Sequence, residues 1–192
     1  TAALVHTAGA LSLASLGTAK GRARGSFHPL CAVSSPRDSL AGHTVAVSTR
    51  SPALRAVLRR MAEDVGLRVL DVPEAHRAAY HAGAVMSAGG LVALADAAVA
   101  ALGAAGIRPE DALAAMLPLM RSALRGVEAR GTSGGLTGPI VRGDAGVVAA
   151  HLAALPEDVA PLYRLLSRRA LGLASQRLSP ASRAALERLL RR

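Results

Sequence analysis

Residues 82–107 read AGAVMSAGGLVALADAAVAALGAAGI, an apolar run with one charge, Asp96, near its middle. A run of this kind reads as a helix, and a helix apolar on every side has to be covered by something. It is long enough to cross a bilayer. Its alanine and glycine content and the central Asp96 argue against a membrane span. The expectation is a central helix buried in a globular protein or between two copies of the chain.

That helix divides the 192-residue chain by the kind of signal on either side. Before Pro73 strands and helices alternate. ALVHTAG at 3–9 suits a short buried strand, and ALSLASLG at 10–17 suits a helix closed by Gly17. RARGSFHPL follows as a strand that ends at Pro29, because proline cannot donate to a ladder. HTVAVST at 43–49 alternates and is rich in β-branched residues. Ser51-Pro52 is a helix start, a capping residue followed by proline at the first helical position. Leu54, Val57, Leu58, Met61 and Val65 then fall at helical spacing up to Gly66, and LRVLDV at 67–72 returns as a strand.

After Pro73 no strand signal remains. A long apolar helix is expected from about Glu74 to Gly103. Pro109 opens another, with Leu113, Met116, Leu117, Met120, Leu124 and Val127 on one stripe and a kink at Pro118. GTSGGLTGPIVRGD at 131–144 reads as a glycine-rich loop, with Asp144 capping the helix that follows. Further helices are expected near 157–176 and at 180–192. The expected architecture is an α/β segment over 1–72 followed by an all-helical domain over 73–192.

Composition narrows the function classes. Aromatic residues make up 2% of the chain, which argues against stacking platforms for bases. The net charge of +10 comes almost wholly from arginine, with Lys20 the only lysine. The arginines are spread over several helices in short pairs such as Arg59-Arg60, Arg168-Arg169 and Arg191-Arg192. Nucleic-acid binding is therefore a secondary alternative, with no specific sequence recognition expected. Cys31 is the only cysteine; it excludes an internal disulfide and makes the cytoplasm the default setting. His43, His76 and His151 are isolated, so no metal site is expected. There is no P-loop, no G-x-S-x-G elbow and no G-x-G-x-x-G after a strand.

Five segments occur together in an order that resembles a known family: HTAGALSLASL at 6–16, GSFHPL at 25–30, YHAGAVMSAGGLVAL at 80–94, MLPL at 116–119 and LTGPIVRGD at 136–144. The chain resembles the Rossmann-like oxidoreductases that carry "domain of unknown function 2520". That group looks like a branch of the phosphogluconate dehydrogenase superfamily, related in layout to pyrroline-carboxylate and ketopantoate reductases. The resemblance implies the later strands of a Rossmann-like domain followed by a helical domain that forms a homodimer. It implies NAD(P) as cofactor, although the phosphate-binding turn of the first βαβ unit has no counterpart in this sequence. It implies a small carbonyl or imine acid as substrate.

The residues carried over fall into three groups. The resemblance implies cofactor contacts from His6, Thr7, Gly9, Ser26, Phe27 and Pro29. His28, His81 and Tyr80 are the catalytic candidates, since reduction of a carbonyl or imine needs a proton donor near neutral pH. Gly89, Thr137, Gly138 and Arg142 are the substrate-binding candidates. Related reductases often carry Lys and Asn where this chain has Val85 and Gly89, which removes two polar groups. For several of these residues a plainer role stands beside the functional one. GSFHPL is also a simple strand end, His81 a hydrogen-bonded core histidine, and Gly89-Gly90 a place for close helix approach. Arg142 would then pair with Asp144 in a connecting loop. A dimeric, non-catalytic helical scaffold is accordingly the first alternative function.

Overall fold

The computed structural model describes residues 2–18, 20–33 and 35–191. Thr1 and Arg192, and with the latter half of the Arg191-Arg192 pair, lie outside the described residues. Two compact units divide after Leu91. That is later than the change in sequence character at Pro73, because the start of the apolar helix belongs with the strands.

The first unit holds a four-stranded mixed sheet in sequential order. Its strands are β1 (Leu4–His6), β2 (Arg24–Leu30), β3 (Thr44–Thr49) and β4 (Arg68–Asp71). β1 runs parallel to β2, β3 antiparallel to β2, and β4 parallel to β3. Helix α1 (Pro52–Asp64) connects β3 to β4, capped by the Ser51 side chain, which accepts from the Leu54 amide. Val45, Val47, Leu54, Leu58, Ala62 and Leu67 form the core between this helix and the sheet, with Phe27 packed against it. Each fully buried aliphatic side chain there contributes about 1.5–3 kcal/mol.

Three expectations are corrected in this unit. Pro29 does not end its strand; β2 continues to Leu30 and pairs with Thr44. The Leu4 amide donates to the Ala23 carbonyl, so the odd-numbered residues of β2 turn their backbone groups toward β1. β1 stops opposite Ser26, so proline's missing N–H costs no ladder bond at Pro29. The helix expected over 10–17 is a single 3-10 turn, Leu13–Leu16. The buried stripe of α1 is Leu54, Leu58 and Ala62, whereas Val57, Met61 and Val65 are exposed. A four-residue spacing alone faces the sheet, and the positions one turn aside do not.

After a 3-10 turn at Glu74–His76, α2 (Arg77–Ser87) and α3 (Gly89–Gly103) meet at Ala88, whose ψ of −79° interrupts the helix. Nothing comes within 4 Å of a Cβ placed at Gly89. The expectation of a helix buried in its own chain fails, since no residue of α3 is buried. The stretch Glu74–Gly103 is long and apolar enough to cross a membrane by length and composition alone, with a mean hydropathy of 1.9 over an 18-residue window.

The second unit is helical. It comprises the rest of α3, then α4 (Pro109–Gly135), α5 (Pro139–Arg142), α6 (Ala145–Ala154), α7 (Ala160–Ala174) and α8 (Pro180–Leu190). Ile140, Val148, Leu171, Ala174, Leu186 and Leu190 make its core. Helix α4 runs through Pro118 and breaks at Gly131, where φ is +70°, a conformation glycine adopts without steric cost. Much of the expected glycine-rich loop is thus helix. Asp144 does cap α6, accepting from the Val147 amide at 3.1 Å.

Candidate functional site

The site is built on one face of β2. His6 of β1 stands opposite Ser26 in register, and His28 lies two residues further along β2, so the three share a face. Phe27 and Pro29 alternate to the other side, where Phe27 packs on the core. Ser26 is fully buried and its hydroxyl has no hydrogen-bond partner among the described residues.

Helix α2 supplies the rest. The Tyr80 hydroxyl and His28 Nδ1 are 2.6 Å apart, with the rings edge to face. The His81 and His28 ring centroids are 6.1 Å apart. Gly9 lies against both rings: a Cβ there would stand 2.3 Å from His81 Cδ2 and 2.9 Å from His28 Nε2. The absent side chain leaves the Nε2 edge of His28 free. Thr7, two residues before, is exposed.

Protonation follows from burial and charge. Burial holds the His28 pKa below its ordinary value, with His81, Arg77 and His6 adding to the effect. Burial and then Arg77 lower that of His6, against smaller opposing contributions from Glu74 and the Ala8 and Ser12 carbonyls. Burial raises that of Tyr80, with Arg77 opposing. At neutral pH the pair is therefore a neutral phenol and a neutral imidazole. With the phenol O–H donating to Nδ1 the imidazole proton sits on Nε2, and with Nδ1–H donating to the phenol oxygen it sits on Nδ1.

The lowered histidine values make stability depend on pH. The unfolded chain takes up protons near the ordinary histidine value of 6.5 while His6 and His28 in the fold resist them. Stability is therefore complete above that value and is lost as pH falls through the two folded values. Urea unfolding midpoints should be level from about pH 8 to about pH 7 and decline on acidification. His6→Asn and His28→Asn should each flatten the decline. A midpoint unmoved down to about pH 5 would mean that neither ring is held neutral.

The sequence reading missed Arg77 and Glu74. Arg77 is 3% exposed and donates to the Gly9 carbonyl at 3.0 Å and the Ala8 carbonyl at 3.3 Å. Glu74 accepts from the Leu13 amide at 2.6 Å and lies 3.6 Å from Arg77 Nε. Their partners are more than sixty positions away in sequence, so no local pattern marks them.

Of the other candidates, Gly89 is exposed at the start of α3. Thr137, Gly138 and Arg142 belong to the second unit. Thr137 is exposed, Gly138 precedes α5 with φ +94°, and Arg142 is exposed in its last turn. The second unit also contains a cavity of about 380 Å³ among α3, α4, α6 and α7, lined by aliphatic side chains and by His151 and Tyr163, which are hydrogen-bonded at 2.8 Å. Several arginines are committed to ion pairs: Arg55 and Arg59 both hold Asp71, and Arg108 holds Glu110 and Asp111. Among the described residues no group of three or more histidine, cysteine, aspartate or glutamate side chains could hold a metal ion.

Residues 43–170 match the family described as Domain of unknown function (DUF2520). The chain belongs to the DUF2520 family. Its fold is shared with protein TM1727 from Thermotoga maritima, at 24% identity and a TM-score of 0.76 over 91% of this chain and 69% of that one. A second neighbour, from Bacteroides fragilis, is described as a "putative NADP oxidoreductase"; it is 26% identical, with a TM-score of 0.71 over 88% of this chain and 64% of its own. No curated protein matches the chain. This DUF2520 member therefore has an oxidoreductase-like fold, a short mixed sheet followed by helices, and spans about two thirds of each structural neighbour.

Proposed function

We propose that this DUF2520 protein is an NAD(P)-dependent oxidoreductase acting on a small carbonyl or imine acid, with His28 and Tyr80 handling the proton of the reaction. The observation that carries the reading is the Tyr80–His28 hydrogen bond, set beside His81 and over Gly9. The likeness to a protein described as an NADP oxidoreductase supports it.

The described residues fit the reacting end of such a cofactor: His28, His6, Thr7 and Gly9 lie at neighbouring strand ends. They offer no cradle for a pyrophosphate. β1 runs into a 3-10 turn rather than a helix, and the start of α1 is closed by its own Ser51 side chain. A bound nicotinamide would supply or take up the hydride. The oxygen or nitrogen at the reacting carbon gains negative charge as it is reduced, and His28 Nε2–H can donate to it. Tyr80 holds the ring by its other nitrogen, fixing which edge faces outward. The lowered pKa of His28 keeps most of it neutral at pH 7. Proton delivery, and with it reduction, should therefore strengthen toward acid pH, and oxidation toward alkaline pH.

Fluorescence titration of NADPH and NADH against this chain, and against any longer form its gene encodes, tests the reading. Saturable binding by either supports it; failure of every form to bind either nucleotide would remove it.

We also propose that two copies pair through α3 and α4 and that the protein works in the cytoplasm, where its single cysteine stays reduced. No α3 residue is buried, and Val92 is 70% exposed. On α4, Leu113, Leu117, Leu124 and Val127 are exposed as well, apolar side chains that a second copy would cover. Sizing with light scattering at micromolar concentration should give a dimer, and Val92→Glu should drive it toward monomer. A wild-type monomer would leave this surface without its proposed partner.

A further inference from the structure

We propose that Arg77, with Glu74 one turn before it, is the positioning residue of this site: it fixes the loop of residues 8–13 beneath His28 and His81 and touches no substrate itself. The inference rests on reading this cluster as the proton-handling site.

The contacts tie both ends of the loop to one helix start. Arg77 Nη1 donates to the Ala8 and Gly9 carbonyls, and Glu74 Oε1 accepts from the Leu13 amide. Gly9 in turn sits against both imidazoles, so a shift of the loop is a shift of the floor on which they rest. A buried guanidinium is a poor source of stability, because its desolvation offsets much of what its bonds return. Its only carboxylate is 3.6 Å from Nε and partly exposed. An apolar side chain would fill the space at less cost, so the charge itself needs an explanation.

The field of that charge supplies one. The charged and titratable groups acting on His28 are His81 and Arg77 from α2 and His6 from β1, with Tyr80 hydrogen-bonded to its ring and Glu74 beside Arg77. Both His28 and His6 are held toward their neutral forms in part by Arg77. Arg77 thus sets the ring's place through the loop and its proton through the field.

The test is histidine NMR titration with amide exchange over residues 9–13, on full-length chain checked for folding by circular dichroism. Arg77→Met should raise the His28 titration midpoint and speed exchange in the loop. Arg77→Lys keeps the charge but its nitrogen lies one bond short of Nη1, which reaches both carbonyls, so the midpoint should stay near wild type while exchange still quickens. Glu74→Gln removes the negative partner alone and should lower the His6 midpoint, which Glu74 raises. A folded Arg77→Met with midpoint and loop exchange unchanged would overturn the proposal. Should that variant fail to fold, an unmoved His6 midpoint in Glu74→Gln together with unchanged exchange in Arg77→Lys would do so. The titration needs neither cofactor nor turnover. A failed nucleotide titration therefore counts against the reductase reading and leaves the role of Arg77 to be decided separately.

Discussion

Replacing His28 by Asn is expected to lower turnover by about 10²–10⁴-fold, the usual contribution of a positioned acid–base group, with a much smaller change in KM. The split between the two constants is the informative part. His28 is half-buried and its Nδ1 is occupied by Tyr80, so only the Nε2 edge is free to meet a reacting atom. A group used that way stabilises the transition state more than the bound substrate. Tyr80→Phe should give a smaller loss and a changed pH profile, because the ring keeps its proton-carrying nitrogen but loses the partner that fixes which one it is. The assay is nicotinamide absorbance with a panel of small 2-oxo and imino acids, in whichever form of the chain binds the nucleotide. Turnover within about threefold of wild type in His28→Asn would assign the proton to another residue, with His81 the next candidate.

Where the chain's own neighbours decide a structure, the sequence was a good guide. Ser51-Pro52 caps α1, the alternation of TVAVST makes β3, and Asp144 caps α6, all within a few residues of the signal. Strand register puts His6, Ser26 and His28 on one face. The misreadings have physical causes. Pro29 stays in its strand because β1 is too short to need its N–H, and the length of β1 is set by tertiary contacts. The glycine-rich stretch read as loop is entered by α4, which leaves helical geometry at Gly131 because the chain must turn back there: a Cβ on Gly135 would stand 2.8 Å from the Gly126 backbone. Arg77 and Glu74 could not be read at all. They look like an ordinary charged helix start, and only the fold brings the Ala8–Leu13 backbone to them.

Gly9→Ala should destabilise the chain by about 1–3 kcal/mol, the range for inserting atoms where a packed site has no room. The cause is space rather than backbone strain. Gly9 is not among the glycines with positive φ, so its conformation suits any residue. The new methyl would stand 2.3 Å from His81 Cδ2 and 2.8 Å from His28 Cε1, and rings held on a strand and a helix cannot both retreat. Either His28 rotates and loses Tyr80, or the loop lifts and Arg77 loses its carbonyls. Both routes should appear as altered His28 and His81 ring resonances, and denaturant unfolding should report the energy. Gly146→Ala is the control. It lies in α6 with its nearest neighbour at 3.8 Å, and alanine there should be neutral or stabilising by up to about 1 kcal/mol. If Gly9→Ala behaves like the control, the two imidazoles do not rest on Gly9, and the route from Arg77 through the loop to His28 has no physical link.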